Sequence, residues 1–196
     1  MGRTYAAIDD RLASFIQSQP LFFVASAPLS AEGLVNCSPK SNDGELTVID
    51  PHRVGYLDRT GSGVETIAHL RENGRIVLMF CAFQGPPRIV RIHGRGSVVE
   101  RDDEGFDELA ARFASVRRDG VRAVIVVTAD RIADSCGYGV PLMDVREHRR
   151  QLTDWTHRKG DEGIRQYWET TNAHSLDSLP ALRSVSADQL PHSPTG

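Results

Sequence analysis

Between residues 88 and 99 hydrophobic and polar side chains alternate more cleanly than anywhere else in the chain. Val90, Ile92, Gly94, Gly96 and Val98 share one parity, and Arg91, His93, Arg95 and Ser97 share the other. A period of two predicts a strand with one buried and one exposed face. Its two glycines fit a sharply bent barrel strand or a backbone that comes close to a ligand. Compact apolar runs predict further strands over residues 21–27, 34–38 (ended by Pro39), 46–49, 54–57, 75–83 and 122–129. A period near 3.6 predicts helices instead. Ile8, Leu12, Phe15 and Ile16 place one over 8–19, stopped by Pro20. Val64, Ile67, Ala68 and Leu70 mark a second, closed by Asn73-Gly74. Phe106, Leu109, Ala110 and Phe113 mark a third over 104–116. After Pro141 the chain turns polar, with surface helices predicted over 144–159 and 161–171.

Most connections between the strands are too short for parallel crossovers, which need a dozen or more residues. The expected fold is therefore mainly β with flanking helices, an antiparallel barrel or sandwich. The chain has 196 residues, enough for one domain whose core needs no disulfide or metal. Residues 1–182 are expected to form that domain, and 183–196 a flexible tail.

Charge and cysteine usage narrow the function classes. Lys plus Arg number 23 against 26 Asp plus Glu, so the basic excess of a general nucleic-acid binder is missing. Cys37, Cys81 and Cys136 are odd in number, widely spaced and outside any CxxC, and the seven histidines form no HExxH. Neither a disulfide scaffold nor a metal site is expected. Cys81, within an apolar run, reads as a small buried hydrophobe. The first ten residues hold no apolar signal segment. The longest apolar run, 76–83, is far short of the ~20 residues that span a membrane. A cytoplasmic protein without a membrane partner is expected.

Thr60-Gly61-Ser62-Gly63, ahead of a helix, permits two readings. Backbone N–H groups and hydroxyls at a helix start suit a phosphate. Ser62 with Glu65 three residues on fits a capping box, and Glu65 would repel a phosphate if it faced the same space. The segment is neither a P-loop nor a dinucleotide fingerprint, because the lysine and the GxGxxG spacing are missing. Within Asn36-Cys37-Ser38-Pro39-Lys40, Lys40 is either a phosphate partner or an exposed lysine on a turn. Arg91 and His93 either line a polar groove or sit on a solvated sheet face. Tyr138, in Ser135-Cys136-Gly137-Tyr138-Gly139-Val140-Pro141, either closes over a ring system or belongs to a glycine-rich connection. Trp155, Tyr167 and Trp168 read as packing anchors. No nucleophile elbow occurs and no residue is an evident acid or base, so no catalytic residue is assigned; His93 and Tyr138 are candidates by residue type alone.

Taken together, several strings resemble the pyridoxamine 5'-phosphate oxidase-related family. They are Phe22-Phe23-Val24-Ala25-Ser26-Ala27-Pro28-Leu29, Val35-Asn36-Cys37-Ser38-Pro39-Lys40, Tyr56-Leu57-Asp58-Arg59-Thr60-Gly61-Ser62-Gly63, Glu65-Thr66-Ile67-Ala68-His69-Leu70, and Gly85-Pro86-Pro87-Arg88-Ile89-Val90-Arg91-Ile92-His93-Gly94-Arg95-Gly96. The resemblance spans roughly residues 15–182, and is strongest to a subgroup carrying the SPK, TGSG and SCGYGVP strings. It implies an FMN-binding split β-barrel and a homodimer with two flavin sites between the subunits. It also implies a flavin-dependent oxidoreductase acting on a small-molecule redox substrate. By position, Asn36, Ser38 and Lys40 fall on the strand lining the flavin. Thr60, Ser62, Gly63 and Thr66 fall on the loop and helix start that hold its phosphate, and Asp58 and Gly61 beside them are further cofactor-binding candidates. Arg91 and His93 fall on the strand that follows, and Tyr138 near a neighbouring site. Two departures argue against pyridoxamine phosphate oxidation itself. Ser62-Gly63 stands where those enzymes carry a basic pair, and a polar tail replaces their terminal segment with arginine and tryptophan. The wider family leaves a deazaflavin-dependent reductase, or a flavin- or haem-binding carrier or sensor, as alternatives.

Overall fold

A computed structural model describes residues 2–113 and 118–183. Its eight strands are β1 (Thr4–Tyr5), β2 (Leu21–Ser26), β3 (Asn36–Ser41), β4 (Leu46–Asp50), β5 (Arg53–Arg59), β6 (Arg75–Cys81), β7 (Ile89–Glu100) and β8 (Val121–Ser135). All pair antiparallel in one sheet of order β3-β2-β6-β7-β8-β5-β4, with β1 added on β8. The sheet curls into a split β-barrel whose open edges are β3 and β4. Alternation is the cause. Phe22, Val24, Tyr56, Leu78, Phe80, Ile92 and Ile125 point inward and are buried. Phe22 stacks on Phe80 at 5.7 Å and meets Tyr56 edge-on at 5.5 Å.

Helices flank the sheet. In α1 (Asp10–Ser18), the N-cap Asp9 accepts from the Leu12 N–H at 2.8 Å. Helix α2 (Glu65–Asn73) ends on Gly74 in the left-handed region (φ 71°), as Asn73-Gly74 predicts. The glycines of β7 serve the close approach of neighbouring elements rather than a ligand. A side chain on Gly94 would strike the Thr128 carbonyl at a bulge, and one on Gly96 would strike Leu70 of α2.

Four boundaries differ from expectation. Strand β3 does not end at Pro39 but continues to Ser41, with Pro39 opposite Phe23; proline is tolerated because β3 is an edge strand. Strand β8 runs past 129 to Ser135, where its half-exposed residues weaken the apolar signal. The third helix shortens to α3 (Phe106–Ala110) and a 3₁₀ turn at Ala111–Phe113; residues 114–116 lie outside the described residues. Residues 144–150 are not helical. Leu142, Met143 and Val145 remain exposed there, so no apolar stripe drives a helix. Helix α4 spans Gln151–Thr171 and breaks at Gly160, between the two predicted pieces. Trp155 and Tyr167 meet across the break at 5.1 Å. Of the tail, all but Arg183 lies outside the described residues.

Candidate functional site

The barrel's split is bridged by charge. Lys40 on β3 donates from Nζ to Asp58 Oδ1 on β5 at 2.9 Å. Arg122 donates from Nε to the other carboxylate oxygen at 2.6 Å. Arg122 owes its inward position to a bulge. Asp58 pairs with Ala123 and Arg59 with Val121, which leaves Arg122 as the extra residue on β8. In unbroken register it would oppose Arg59, on the other face from Asp58. Asp58 is fully buried. Burial alone would raise its carboxyl, but the charges and hydrogen bonds of Arg122 and Lys40 outweigh it and hold the group at about 2.

Arg122 also fixes the loop that follows β5. Its Nη2 donates to the Gly63 carbonyl at 2.8 Å and its Nη1 to Asn172 Oδ1 at 2.9 Å. Asn172 in turn donates to the Gly61 carbonyl at 3.0 Å. Thr60 is buried beneath the loop. Its hydroxyl donates to the Gly120 carbonyl at 2.7 Å and accepts from the Trp168 indole at 2.8 Å. Trp168 is thus a packing anchor with a polar tip. The capping box between Ser62 and Glu65 does not form: Val64 is the N-cap residue of α2, and no side chain caps it.

A second network runs along the inner face of β3. Ser38 donates to Asn36 Oδ1 at 2.9 Å, and Asn36 Nδ2 donates to Thr66 Oγ1 at 3.0 Å and to Ser26 Oγ at 3.3 Å. Ser26 lies 3.0 Å from Nδ1 of the buried His69, whose Nε2 has no hydrogen-bond partner among the described residues. Burial lowers the His69 pKa. Asn36 spends its amide protons on Thr66 and Ser26, so the Thr66 hydroxyl keeps its own proton to donate outward. Ser38 keeps its lone pairs.

These two networks wall a cavity of about 200 Å³ lined by Asn36, Ser38, Lys40, Gly61, Ser62, Gly63 and Thr66, with Arg59, Glu65 and Arg122. Lys40, Arg59 and Gly61 also line an adjoining groove of about 570 Å³, whose far wall is His148, Arg149, Leu152 and Thr153. Asp58 and Thr60 stand behind the smaller cavity and shape it without lining it. Arg91, His93 and Tyr138 are not part of it. Arg91 and His93 lie on the opposite face of the sheet, Arg91 donating to Ser135 Oγ at 3.0 Å. Tyr138 is 83% exposed and lines a different depression, with Arg88 and Cys136. Sequence reading misses Arg122 and Asn172 altogether. Arg122 is hidden by the apolar run it opens, and Asn172 sits one residue beyond a surface helix. Among the described residues no cluster of His, Cys, Asp or Glu could hold a metal ion, and no helix is long and apolar enough to cross a membrane.

Residues 8–136 match the sequence model of the pyridoxamine 5'-phosphate oxidase family. The pyridoxamine 5'-phosphate oxidase family protein ustO of Aspergillus flavus is 38% identical over 201 residues, covering 94% of this chain and 80% of that protein. The crystal structure of HupZ from Group A Streptococcus superposes with a TM-score of 0.51 at 24% identity, over 64% of this chain and 91% of that one. Its H111A variant gives 0.52 at 23%, over 65% and 99%. The likeness to HupZ is one of fold.

Proposed function

Because this chain belongs to the pyridoxamine 5'-phosphate oxidase family, we propose that its cavity receives the phosphate end of FMN and that the protein is a homodimeric, flavin-dependent oxidoreductase of a small molecule. One observation carries the reading. Seven residues scattered between 36 and 66, each of a type that suits a phosphorylated polyol, line a single cavity. Their hydrogen-bonding capacity is partly unspent. Lys40 uses one of its three N–H bonds on Asp58, Thr66 keeps its hydroxyl proton, and Ser62 makes no side-chain hydrogen bond among the described residues. Lys40 and Ser62 would hold the phosphate, with Thr66 and Ser38 against the ribityl hydroxyls. The adjoining groove offers room for a ring system. A bound flavin supplies hydride and electron transfer, while this chain binds it, orients it and excludes water.

Support for the dimer comes from the sheet's outer face. Register sets Pro39, Phe23, Met79 and Arg91 in one row and Cys37, Ala25, Val77 and His93 in the next. Phe23, Ala25, Val77 and Met79 are only half-buried. A second copy laid on this face would cover them. It would also bury Arg91 and His93, at the ends of these rows, between the subunits. Calorimetric titration with FMN, riboflavin, a deazaflavin and haem tests the reading. Saturable binding of FMN is expected; a protein that binds none of the flavins defeats it.

A carrier or sensor without turnover is the second reading, favoured by the cavity wall. Its cations Lys40, Arg59 and Arg122 are held in ion pairs with Asp58 and Glu45, so none of the three is free to relay a proton. Reduction of the bound flavin by a nicotinamide donor, followed by passage to an acceptor, decides for the enzyme; binding without turnover decides for the carrier.

A further inference from the structure

The three cations that line the cavity are matched by three carboxylates, two of them behind its wall. Lys40, Arg59 and Arg122 contribute three positive groups. Asp58, Glu45 and Glu65 contribute three negative ones: Asp58 shared by Lys40 and Arg122, Glu45 paired with Arg59, and Glu65 in the wall itself. A cradle built solely to attract a phosphate would carry an excess of cations. Of the three carboxylates, Glu65 alone has no cation partner among the described residues. Its one hydrogen bond is a long contact, 3.4 Å from the Leu176 N–H to Oε1. The other oxygen folds back over Gly63, so closely that any side chain there would collide with it. Glu65 is also the first residue of α2, where the helix field favours a negative group. Its carboxylate therefore takes up the favourable potential that an incoming anion would use, and of the three acids it is the least tethered and the one that lines the cavity itself.

We propose that Glu65 is a specificity-determining residue, an internal stand-in anion that must swing out of the cavity before the phosphate of a ligand can enter. This rests on the flavin reading above for the identity of the ligand, but not for the conflict of charges. Glu65 weakens the preference for phosphorylated over unphosphorylated ligands, and in its absence that preference sharpens. The Gly63 position keeps the stand-in compact, because only a residue without a side chain leaves room for the folded-back carboxylate.

The test compares the full-length wild type with Glu65→Gln, which keeps the shape and removes the charge, and with Glu65→Ala, which removes both. Affinities for FMN and riboflavin are measured by calorimetry at low ionic strength. Glu65→Gln is expected to bind FMN about tenfold more tightly while riboflavin affinity stays within about twofold. Equal gains for both flavins, or no gain for FMN, overturn the proposal. A gain in Glu65→Ala alone means that bulk rather than charge is the obstacle, which also overturns it. If none of the three proteins binds any flavin, the functional reading fails and inorganic pyrophosphate decides for Glu65. Thermal stabilisation of Glu65→Gln beyond that of wild type supports the stand-in, and identical behaviour refutes it. Unfolding midpoints without ligand establish that both variants are folded.

Discussion

On the inward side of β3, Asn36, Ser38 and Lys40 are each tied to partners in the same chain, while on the outward side of the neighbouring strands Phe23, Val77 and Met79 stand half-exposed in rows that end in Arg91 and His93. The two sides come from the same strands and the same alternation. They differ in what completes them. The inner side is closed by elements distant in sequence, namely the β8 bulge, the start of α2 and the residue just beyond α4. The outer side has an apolar centre that one chain leaves uncovered. The contrast teaches that the cavity is a property of the protomer, whereas any role for Arg91 and His93 in it is a property of an assembly.

The sharpest way to break the inner side is Arg122→Met. It leaves the buried Asp58 carboxylate with Lys40 alone and unbolts both Gly63 and Asn172. Loss of one partner from a buried ion pair costs about 3–5 kcal/mol. In a domain of this size the melting temperature should fall by roughly 6–20 °C, with flavin affinity lost in parallel. Denaturation by heat and urea checks the stability; an unchanged melt would mean that the bulge does not organise the loop. Breaking the outer side should do the opposite. Met79→Asp places a charge in the centre of the apolar rows and should halve the mass measured by light scattering while leaving the urea midpoint of the separated chains nearly unchanged. A monomeric wild type, or a variant that stays dimeric, removes this face as the interface.

How much of this is legible in the sequence depends on which interaction decides each element. The faces of β7, the end of α1 ahead of Pro20 and the close of α2 on Gly74 follow from local periodicity and from those two residues. Ser38, Lys40 and the 60–66 segment stand out because glycines, hydroxyls and a lysine cluster there. Arg122 does not, since its inward turn comes from a one-residue register slip that only strand pairing creates. The irregular path of 144–150 is equally hidden: its residues suit a helix, and only the lack of anything to pack against argues otherwise. Arg91 and His93 are read correctly as one face of a strand, yet their distance from the cavity depends on sheet topology.

A finer probe of the inner side is Lys40→Ala. A charge-assisted hydrogen bond is worth about 1.5–3 kcal/mol, so FMN affinity should drop roughly 10- to 100-fold while riboflavin affinity changes little. Equal losses for both ligands would place the lysine away from the phosphate. The smallest expected effect is a pH limb. Asp58 titrates at about 2 in the fold against an ordinary value of 3.8. A depressed acid stabilises the folded chain above its unfolded pKa, and that contribution is lost as the pH falls through the folded value. The difference corresponds to about 2 kcal/mol, present at neutral pH and lost between about pH 4 and pH 2. Unfolding free energies over that range should decline in wild type and decline less in Asp58→Asn. Equal slopes would show that other carboxylates control the acid limb.

The hydrogen bond from the Trp168 indole to Thr60 gives the protein its own optical gauge. Trp168 is buried against the segment that forms one wall of the cavity, and a flavin absorbs in the range where indoles emit. Occupancy should therefore dim the intrinsic emission without any label, and Trp155, the only other indole in the chain, can be replaced by Phe to isolate the signal.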